Sequence, residues 1–497
     1  MATHSVHLKS SGDCPNRAQG NRHPPPLSPG DLISALPDAV IHHIFSFLPL
    51  KDVVKTSVLS KRWRCTWTST THLAFNGVRP RNHDASSFDF PSVIDSVLRQ
   101  CTSPTVKKFH VTDLQYHEAD RPKVDRWLHF AAGRRVEDLC LSLITKMWSM
   151  YILPPSLYCW SGLVRLEVSL CSFSLDLTIS WPCLKVLSME YAELSDDFLG
   201  RILKGSPVLE SLELRQCWRM TNIIIDSTSV KNLLLIGANN CHLEKIWAPH
   251  LLSLHVSGMW HHRIFRLDDI SSLVKADLVF SIRTFSLRDK GMCYDLLKEF
   301  FEKVQGVPII TIGGWCLKVL SLFEMKGVPS PLSKCQNLTL HTPVTQRDLP
   351  GIAYMLGSSE FLEKLIIHLN GLHVYKCMLD KEWKDHFNYD EEDFLCTRKG
   401  NFQCLAKHLK RVEIIGFKTN SFGSKHLLLL IKFLLGDTLA LEKMIIKADL
   451  HSRNGQKNHQ AAVLSKLLGV SRNVLTYRRA SKNAKVIFDY PFKLLSL

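Results

Sequence analysis

Apolar residues recur along most of the chain in the order apolar-x-x-apolar-x-apolar. In a strand alternate side chains share one face, so we expect each such row to form a short strand packed on a core. The rows are Val106-Phe109-Val111, Val136-Leu139-Leu141, Leu163-Leu166-Val168, Leu184-Leu187-Met189, Leu209-Leu212-Leu214, Val230-Leu233-Leu235, Leu251-Leu254-Val256, Leu273-Ala276-Leu278, Leu317-Leu320-Leu322, Cys335-Leu338-Leu340, Leu362-Leu365-Ile367, Leu409-Val412-Ile414 and Leu441-Met444-Ile446. An ordinary buried sheet is the alternative explanation of such rows.

The spacing of the rows favours stacked repeats over an ordinary sheet. Between Leu163 and Leu273 the rows return every ~21 to 27 residues, within the range of leucine-rich repeats. One repeat cannot bury its own face, so neighbours must stack into a solenoid. In the clearest repeat, the strand row that begins at Leu184 is followed by a helical arm from Asp196 to Leu203. Asp196 and Asp197, beside Ser195, suit a helix N-terminus.

Two intervals interrupt the rows. The first, from Val279 to Cys316, contains an amphipathic pattern from Tyr294 to Val304 that predicts a helix covering part of the solenoid. The second, from Asp380 to Gln403, contains Trp383 and a run of four acidic residues that ends at Asp393. We interpret the second interval as an exposed loop, since a run of like charges is usually solvated.

A different apolar pattern lies near the N-terminus, from Leu36 to Trp67. Leu36-Pro37 fits a helix start, because proline in a first turn costs no backbone hydrogen bond. Pro49 ends this helix, since proline has no amide hydrogen to donate. Asp52 either caps or opens a second helix, and a third follows around Trp63. The first helix carries one apolar stripe, and the second carries four apolar residues: Val40, Ile41, Ile44, Phe45 and Leu48, then Val53, Val54, Val58 and Leu59.

So small a helical unit rarely buries enough apolar surface to fold alone. It either packs on the rest of its own chain or is completed by another protein, and the residues alone leave both alternatives open. Between Lys51 and Arg64, Asp52 is the only acidic residue set against a group of cations, which would favour an acidic partner. These cations are Lys51, Lys55, Lys61, Arg62 and Arg64.

The run LPDAVIHHIFSFLPLKDVVKTSVLSKRWRCTW, from Leu36 to Trp67, resembles an F-box. This is the module that plugs into the Skp-family adaptor of cullin-based ubiquitin ligases, and the SVLSKRWR run is typical of its plant members. Phe47 stands in the middle of the matched run. The resemblance implies that eight residues lie at or next to the adaptor contact: Leu36, Pro37, Ile44, Leu48, Pro49, Val58, Leu59 and Trp63.

The repeats and the C-terminal part carry further resemblances. Phrases such as GSPVLESLELRQC resemble the irregular leucine-rich repeats that follow F-boxes in plant proteins, with Cys171 and Cys217 as the nearest substitutes for the usual inner-turn Asn. From Cys404 onward, the chain resembles the FBD domain that closes many of these proteins. Its pattern is strand, helix from Lys425 to Leu435, strand, and helix from Gln460 to Leu468. Such a unit would cap the open end of the solenoid.

Composition excludes several classes of protein. The chain has 497 residues, is 45% hydrophobic and 22% charged, and contains no apolar run near the ~20 residues that span a bilayer. The N-terminal residues lack the apolar core of a signal peptide, so we interpret the 15 cysteines as buried free thiols of a reducing compartment. The net charge of +16 suits nucleic acid or an acidic protein, but the basic residues are dispersed.

No catalytic, cofactor or metal motif is recognisable. The chain lacks a P-loop, H-E-x-x-H, G-x-S-x-G and the kinase set, and no two cysteines have C-x-x-C spacing. His42-His43 and His261-His262 lack the spacing at which two histidines of a helix share a metal. Gly313-Gly314 is simplest as a turn. We therefore predict no catalytic residues, cofactor or metal, and hence a protein that is not an enzyme.

The sequence thus predicts an α/β chain: a small three-helix F-box, an irregular leucine-rich-repeat solenoid and an α/β cap. The predicted domains are a disordered leader (1–30), the F-box (31–75), the solenoid (100–400) and the FBD-like cap (401–490). The favoured function is the substrate-recognition subunit of an SCF-type ubiquitin ligase, which binds a Skp-family adaptor, through it a cullin, and an unknown target protein. A non-degradative F-box scaffold is the second hypothesis, and a basic protein associated with nucleic acid is the third. We expect a cytoplasmic or nuclear protein, or both, with no membrane partner.

Overall fold

The computed structural model describes residues 36–60, 62–77, 89–145, 150–174, 176–237, 242–261, 265–283, 287–369, 387–398, 400–417, 425–448 and 468–489. The predicted leader (1–30), Trp383 and nearly all of the predicted helix from Gln460 to Leu468 lie outside these residues. The chain forms two compact units, Met1–Leu170 and Cys171–Leu497. No described helix is long and apolar enough to cross a lipid bilayer.

The first unit begins with short helices and continues into a parallel sheet. Its helices are α1 (Asp38–Ser46), α2 (Leu50–Lys55), α3 (Trp63–Thr66), α4 (Phe90–Gln100) and α5 (Arg121–Gly133). Its strands are β1 (His72–Asn76), β2 (Lys108–Gln115), β3 (Asp138–Ile144), β4 (Tyr151–Ile152) and β5 (Arg165–Ser169). The sheet order is β1-β2-β3-β5, with parallel pairing throughout. Strand β1 is an addition to the predicted rows.

The second unit repeats strand and return arm many times. Its strands are β6 (Cys171–Ser172), β7 (Val186–Glu190), β8 (Ser211–Arg215), β9 (Asn222–Ile224), β10 (Asn232–Gly237), β11 (Lys245–Trp247), β12 (Ser253–His261), β13 (Arg266–Leu267), β14 (Lys275–Arg283), β15 (Ile309–Ile312), β16 (Asn337–His341), β17 (Lys364–His368), β18 (Arg411–Phe417), β19 (Lys443–Ala448) and β20 (Lys485–Asp489). Its helices are α6 (Asp196–Gly205), α7 (Leu287–Val304), α8 (Gly314–Met325), α9 (Leu349–Ser358), α10 (Glu391–Cys396), α11 (Gln403–Lys407) and α12 (Lys425–Asp437).

A long parallel sheet organises the second unit. Its order is β7-β8-β10-β12-β14-β15-β16-β17-β18-β19-β20, and each pair runs parallel. A smaller parallel sheet, β9-β11-β13, lies in the return arms. Along each main strand the predicted row residues are buried: Leu212 and Leu214 on β8, for example, are at most 2% exposed. The predicted α/β class with stacked parallel repeats is therefore confirmed.

One predicted strand is wrong. Leu317-Leu320-Leu322 lies in helix α8, not in a strand. Nearly every side chain from Trp315 to Phe323 is buried, so the helix is apolar all round and has no alternation of exposed and buried positions. The true strand is β15, and its row Val307-Ile310-Ile312 has the same apolar spacing as the other rows. Gly313 and Gly314 are the N-cap and first residue of α8, so they do not form an independent turn.

The two interruptions also have more structure than predicted. The first contains helix α7, which extends the predicted Tyr294–Val304 helix at its N-terminal end, and strand β15. In the second, residues 391–396 form helix α10 instead of an exposed loop. Glu391 is buried there, and its carboxylate accepts hydrogen bonds from Lys425 Nζ (2.9 Å) and lies 3.0 Å from His426 Nε2. A buried charge paired with two partners on α12 explains why this acidic run is not simply solvated.

Candidate docking surface

The N-terminal helices enclose a small core of their own. Ile41 and Phe45 from α1, Val53 from α2, and Trp63 and Trp67 pack together, and each is at most 8% exposed. The rings of Phe45 and Trp63 meet edge to face, with 5.6 Å between their centroids. This is one of the favoured geometries for an aromatic pair. The partly buried side chains of Leu36, Val54 and Val97 pack against this cluster.

Prolines mark where helices α1 and α2 begin, and the helix bounds differ slightly from those predicted. Pro37 is the N-cap of α1 and Pro49 is the N-cap of α2, so α2 begins before Asp52. Helix α1 ends at Ser46, before Pro49 is reached. Val58 ends a single turn of 3-10 helix, Thr56–Val58, which follows α2. Val58 and Leu59 therefore lie outside the helix that was predicted to carry them.

The apolar residues predicted to form one stripe on α1 lie on two faces of the helix, one buried and one exposed. Ile41 and Phe45 are at most 1% exposed, whereas Val40 and Ile44 are 41% and 38% exposed. The exposed row continues beyond the helix at Phe47 (75%) and Leu48 (39%). Residues four apart in a helix lie one above the other, so the two rows point in different directions. One row builds the core and the other stays available.

A second exposed apolar site follows α2. Val58 and Leu59 are 84% and 62% exposed. Large apolar side chains left in water on so small a unit are typical of an interaction site. We use the name docking surface for the exposed residues of both sites: Val40, Ile44, Phe47, Leu48, Pro49, Val58 and Leu59.

Of the eight residues predicted at the adaptor contact, six are exposed in the structure: Pro37, Ile44, Leu48, Pro49, Val58 and Leu59. Leu36 is partly buried, and Trp63 is buried in the core at 4% exposure. Trp63 thus belongs to the core of the N-terminal helices and not to the docking surface. The prediction omitted Phe47 and Val40. The sequence did contain a signal for Phe47. This residue lies within the run that resembles the F-box, yet it is not part of the apolar stripe of the first helix.

Charges around the docking surface are mostly basic. Arg62 pairs with Asp38 at 2.6 Å and Lys55 pairs with Asp52 at 2.8 Å. The hydrogen bond and charge of Lys55 lower the pKa of Asp52. Within the described residues no carboxylate pairs with Lys51 or Arg64, and Lys61 lies outside these residues. The segment from Leu36 to Trp67 therefore carries cations as well as exposed apolar residues, a combination that suits an acidic partner.

The structure describes the side chains of eleven cysteines. Seven are buried as expected, but Cys65, Cys159, Cys183 and Cys396 are exposed, so the prediction of buried thiols is wrong for these four. Burial raises the pKa of Cys140, Cys335 and Cys404 to about 12, which suppresses the thiolate and its reactivity. Among the described residues, no three histidine, cysteine or acidic side chains are grouped so as to hold a metal ion.

Comparison with known proteins agrees with this division of the chain. The family model for the F-box domain matches residues 33–72. The model described as "FBD-associated F-box protein At5g56370, LRR repeats" matches residues 124–272. The two matches fall on the N-terminal helices and on the parallel strands that follow them.

Relatives of similar length also match. F-box/LRR-repeat protein At5g02910 of Arabidopsis thaliana is 32% identical over 427 residues, which cover 84% of this chain and 88% of the relative. F-box/LRR-repeat protein At3g03360 of the same plant is 33% identical over 359 residues, covering 69% of this chain and 71% of the relative. The fold and these matches define an F-box protein with leucine-rich repeats. The chain belongs to the plant family of FBD-associated F-box proteins with leucine-rich repeats.

Proposed function

We propose that the chain is the substrate-recognition subunit of an SCF-type cullin ubiquitin ligase. The docking surface binds a Skp-family adaptor and through it a cullin, and the repeats bind a target protein. The observation that carries the proposal is the exposure of Ile44, Phe47, Leu48, Val58 and Leu59 on a segment that matches the F-box model and has a separate, buried core.

In this proposal the chain itself performs no chemistry. It raises the effective concentration of a target lysine near a ubiquitin-loaded subunit, which converts an encounter between two molecules into a reaction within one assembly. The adaptor, cullin and transfer steps belong to the other subunits. We place the site of action in the cytoplasm, the nucleus or both.

The test is recovery of the ligase by tagged full-length chain expressed in plant cells. We expect the wild type to co-precipitate a Skp-family adaptor and a cullin, and the double variant Leu48→Asp/Pro49→Ala to recover neither. Ile152→Asp is the matched control, because Ile152 is an exposed apolar residue (47%) of the same unit outside the docking surface. Equal recovery of the cullin by the wild type and the double variant would refute the assigned contact.

A further inference from the structure

The last strands of the second unit carry a row of cations on their outward face. The register of β17, β18, β19 and β20 places Lys364 beside Arg411, Arg411 beside Lys443, and Lys443 beside Lys485. Neighbouring strands lie about 4.8 Å apart, so the four positions span about 14 Å across the sheet. We call these four residues the basic row.

Few carboxylates neutralise this face. Glu413 lies 3.1 Å from Lys364, 2.8 Å from Arg411 and 3.5 Å from Lys447, so three cations share one carboxylate. Its side chain is only 6% exposed and is enclosed by these partners. Among the described residues no carboxylate lies within ion-pair distance of Lys443 or Lys485. The register also places Asp489 of β20 beside Lys447, so the described part of this outward face holds five cations and two carboxylates and keeps an excess of positive charge.

Other strands of the same sheet balance their charges. On β14, Lys275 pairs with Asp277 at 2.8 Å, and on β8 Arg215 pairs with Glu213 at 2.8 Å. Arg411 of β18 has a similar pair in Glu413, so the contrast lies in β19 and β20, where no described carboxylate pairs with Lys443 or Lys485. The excess of cations is a local feature of these C-terminal strands. It is not a uniform consequence of the chain's net charge of +16.

The neighbours of the basic row favour a polypeptide ligand over nucleic acid. The next outward positions on β17 and β20 are apolar, Ile366 and Ile487, and the last of these is 37% exposed. The described outward side chains of β17–β20 include no Phe, Tyr or Trp on which a base could stack, and the ring of His368 on β17 is already stacked on His341 of β16. An extended acidic peptide can present carboxylates to the cations of the basic row and apolar side chains to the neighbouring isoleucines. It would therefore match both the charge and the apolar positions of this face.

We propose that the basic row binds an acidic segment of the target protein, with its Asp and Glu carboxylates paired to Lys364, Arg411, Lys443 and Lys485. The proposal rests on the proposed function, because it assigns to the repeats the capture of a target. It names the chemistry of that target's recognition segment and the strands that receive it.

The test measures binding of labelled peptides to the purified full-length chain by fluorescence anisotropy. The probe is a peptide of about 12 residues that alternates Glu and Ser, long enough to cross the basic row in extended form. Its Gln–Ser counterpart and a single-stranded oligonucleotide of equal charge are the comparison ligands. We expect the Glu–Ser peptide to bind at about 0.15 M salt and the Gln–Ser peptide not to bind.

Charge reversal identifies the surface. We expect Lys443→Glu/Lys485→Glu to weaken the Glu–Ser peptide about tenfold or more, since like charges would then face each other. Lys298→Glu/Lys432→Glu is the matched control, with the same change of charge at exposed positions of helices α7 and α12. The control is expected to bind within about threefold of the wild type. Lys443→Gln/Lys485→Gln gives the same test if charge reversal impairs folding.

Two outcomes would overturn the proposal: equal weakening by both double variants, or tighter binding of the oligonucleotide than of the acidic peptide. Adaptor binding is measured on the same samples. Peptide binding without adaptor binding would refute the proposed ligase function and leave the basic row standing. Adaptor binding without peptide binding would refute the basic row and leave the ligase function standing.

Discussion

At the scale of single residues, neighbouring positions of the F-box segment have opposite roles. Trp63 is 4% exposed and contacts Phe45, whereas Leu59 is 62% exposed. Both belong to the run that resembles the F-box. The sequence could predict that both residues matter, but burial is decided by the turn Thr56–Val58 and the packing of α3, which the apolar pattern alone does not specify.

We predict that Trp63→Ala unfolds the N-terminal helices more readily, by about 3–5 kcal/mol, because it leaves a large cavity in a small core. Trp63→Phe costs less. It keeps an aromatic ring beside Phe45, and the indole Nε1 has no hydrogen-bond partner among the described residues. Hydrogen exchange of the α1 amides measures the effect. Leu59→Asp is the control, with unchanged α1 exchange; faster exchange in Leu59→Asp than in Trp63→Ala would contradict this assignment.

A second residue-scale prediction concerns Asp277. Burial raises the pKa of its carboxyl, but hydrogen bonds with His255, Lys275 and Thr311 outweigh burial and lower the pKa below its ordinary value. The stabilisation is therefore complete above about pH 4, the ordinary aspartate value, and is lost as the pH falls through the lower folded-state value.

We expect Asp277→Asn to reduce the free energy of unfolding by about 1–3 kcal/mol at pH 7, through loss of charge-assisted hydrogen bonds. The difference from the wild type shrinks as the pH falls below about 4, because the Asp277 carboxyl of the unfolded wild-type chain then takes up a proton that the folded chain does not yet bind. Urea unfolding at several pH values measures both effects. Asp226→Asn, at an exposed position, is the control and has little effect. A difference that grows on acidification would show that the sign is wrong.

At the scale of elements, the apolar pattern predicts best those strands that have one face on the core and one face toward water. The row Leu184-Leu187-Met189 and the helix N-terminus at Asp196 are as predicted. Ser195 caps this helix, and its Oγ accepts a hydrogen bond from the Phe198 amide. The pattern fails at α8, whose positions are buried on all sides and so fit a strand row by chance. Periodicity reports a boundary between core and water, and an enclosed helix has none.

The packing of α8 against α9 gives an element-scale prediction. A Cβ on Gly351 of α9 would lie 2.3 Å from the Leu317 carbonyl oxygen of α8, a contact with backbone that cannot yield cheaply. The Gly351 amide also donates a hydrogen bond to Ser321 Oγ at 2.7 Å. We expect Gly351→Ala to lower the free energy of unfolding by about 2–4 kcal/mol, because it forces the two helices apart.

Gly357 provides the matched control in the same helix. A Cβ there would lie 3.7 Å from Phe402, an ordinary contact distance. Alanine favours a helix over glycine, so Gly357→Ala is expected to be neutral or to stabilise by up to about 1 kcal/mol. Urea unfolding of the two single variants measures the difference. Equal stability of Gly351→Ala and Gly357→Ala would contradict the close approach of α8 and α9.

At the scale of the whole molecule, the chain divides its work between one docking segment and a long series of repeats. The class of fold could be predicted because many apolar rows repeat the same pattern. The family could be predicted because the run from Leu36 to Trp67 is long enough to be distinctive. The ends of the series could not. Strand β1 has no full apolar row, and the inward positions of β20 are only Val486 and Phe488, both partly exposed. The predicted domain boundaries stay predictions.

Strand β1 changes how the docking segment is best removed. His72–Asn76 pairs in parallel with Lys108–Thr112 of β2, so deleting residues 31–75 would take away nearly all of a strand of the first unit's sheet. Such a deletion would expose the backbone groups of β2 and impair more than adaptor binding. Substitutions on the exposed apolar residues separate docking from folding, because these side chains lie outside the core of Ile41, Phe45 and Trp63.

The most direct test of the central claim is a calorimetric titration of the purified full-length chain with a purified Skp-family adaptor. We predict one adaptor bound per chain with a dissociation constant of about 1 μM or tighter, and at least tenfold weaker binding by Leu59→Asp. The control Ile152→Asp binds like the wild type. Absence of binding by the wild type, or equal affinity of Leu59→Asp and the wild type, would contradict the account.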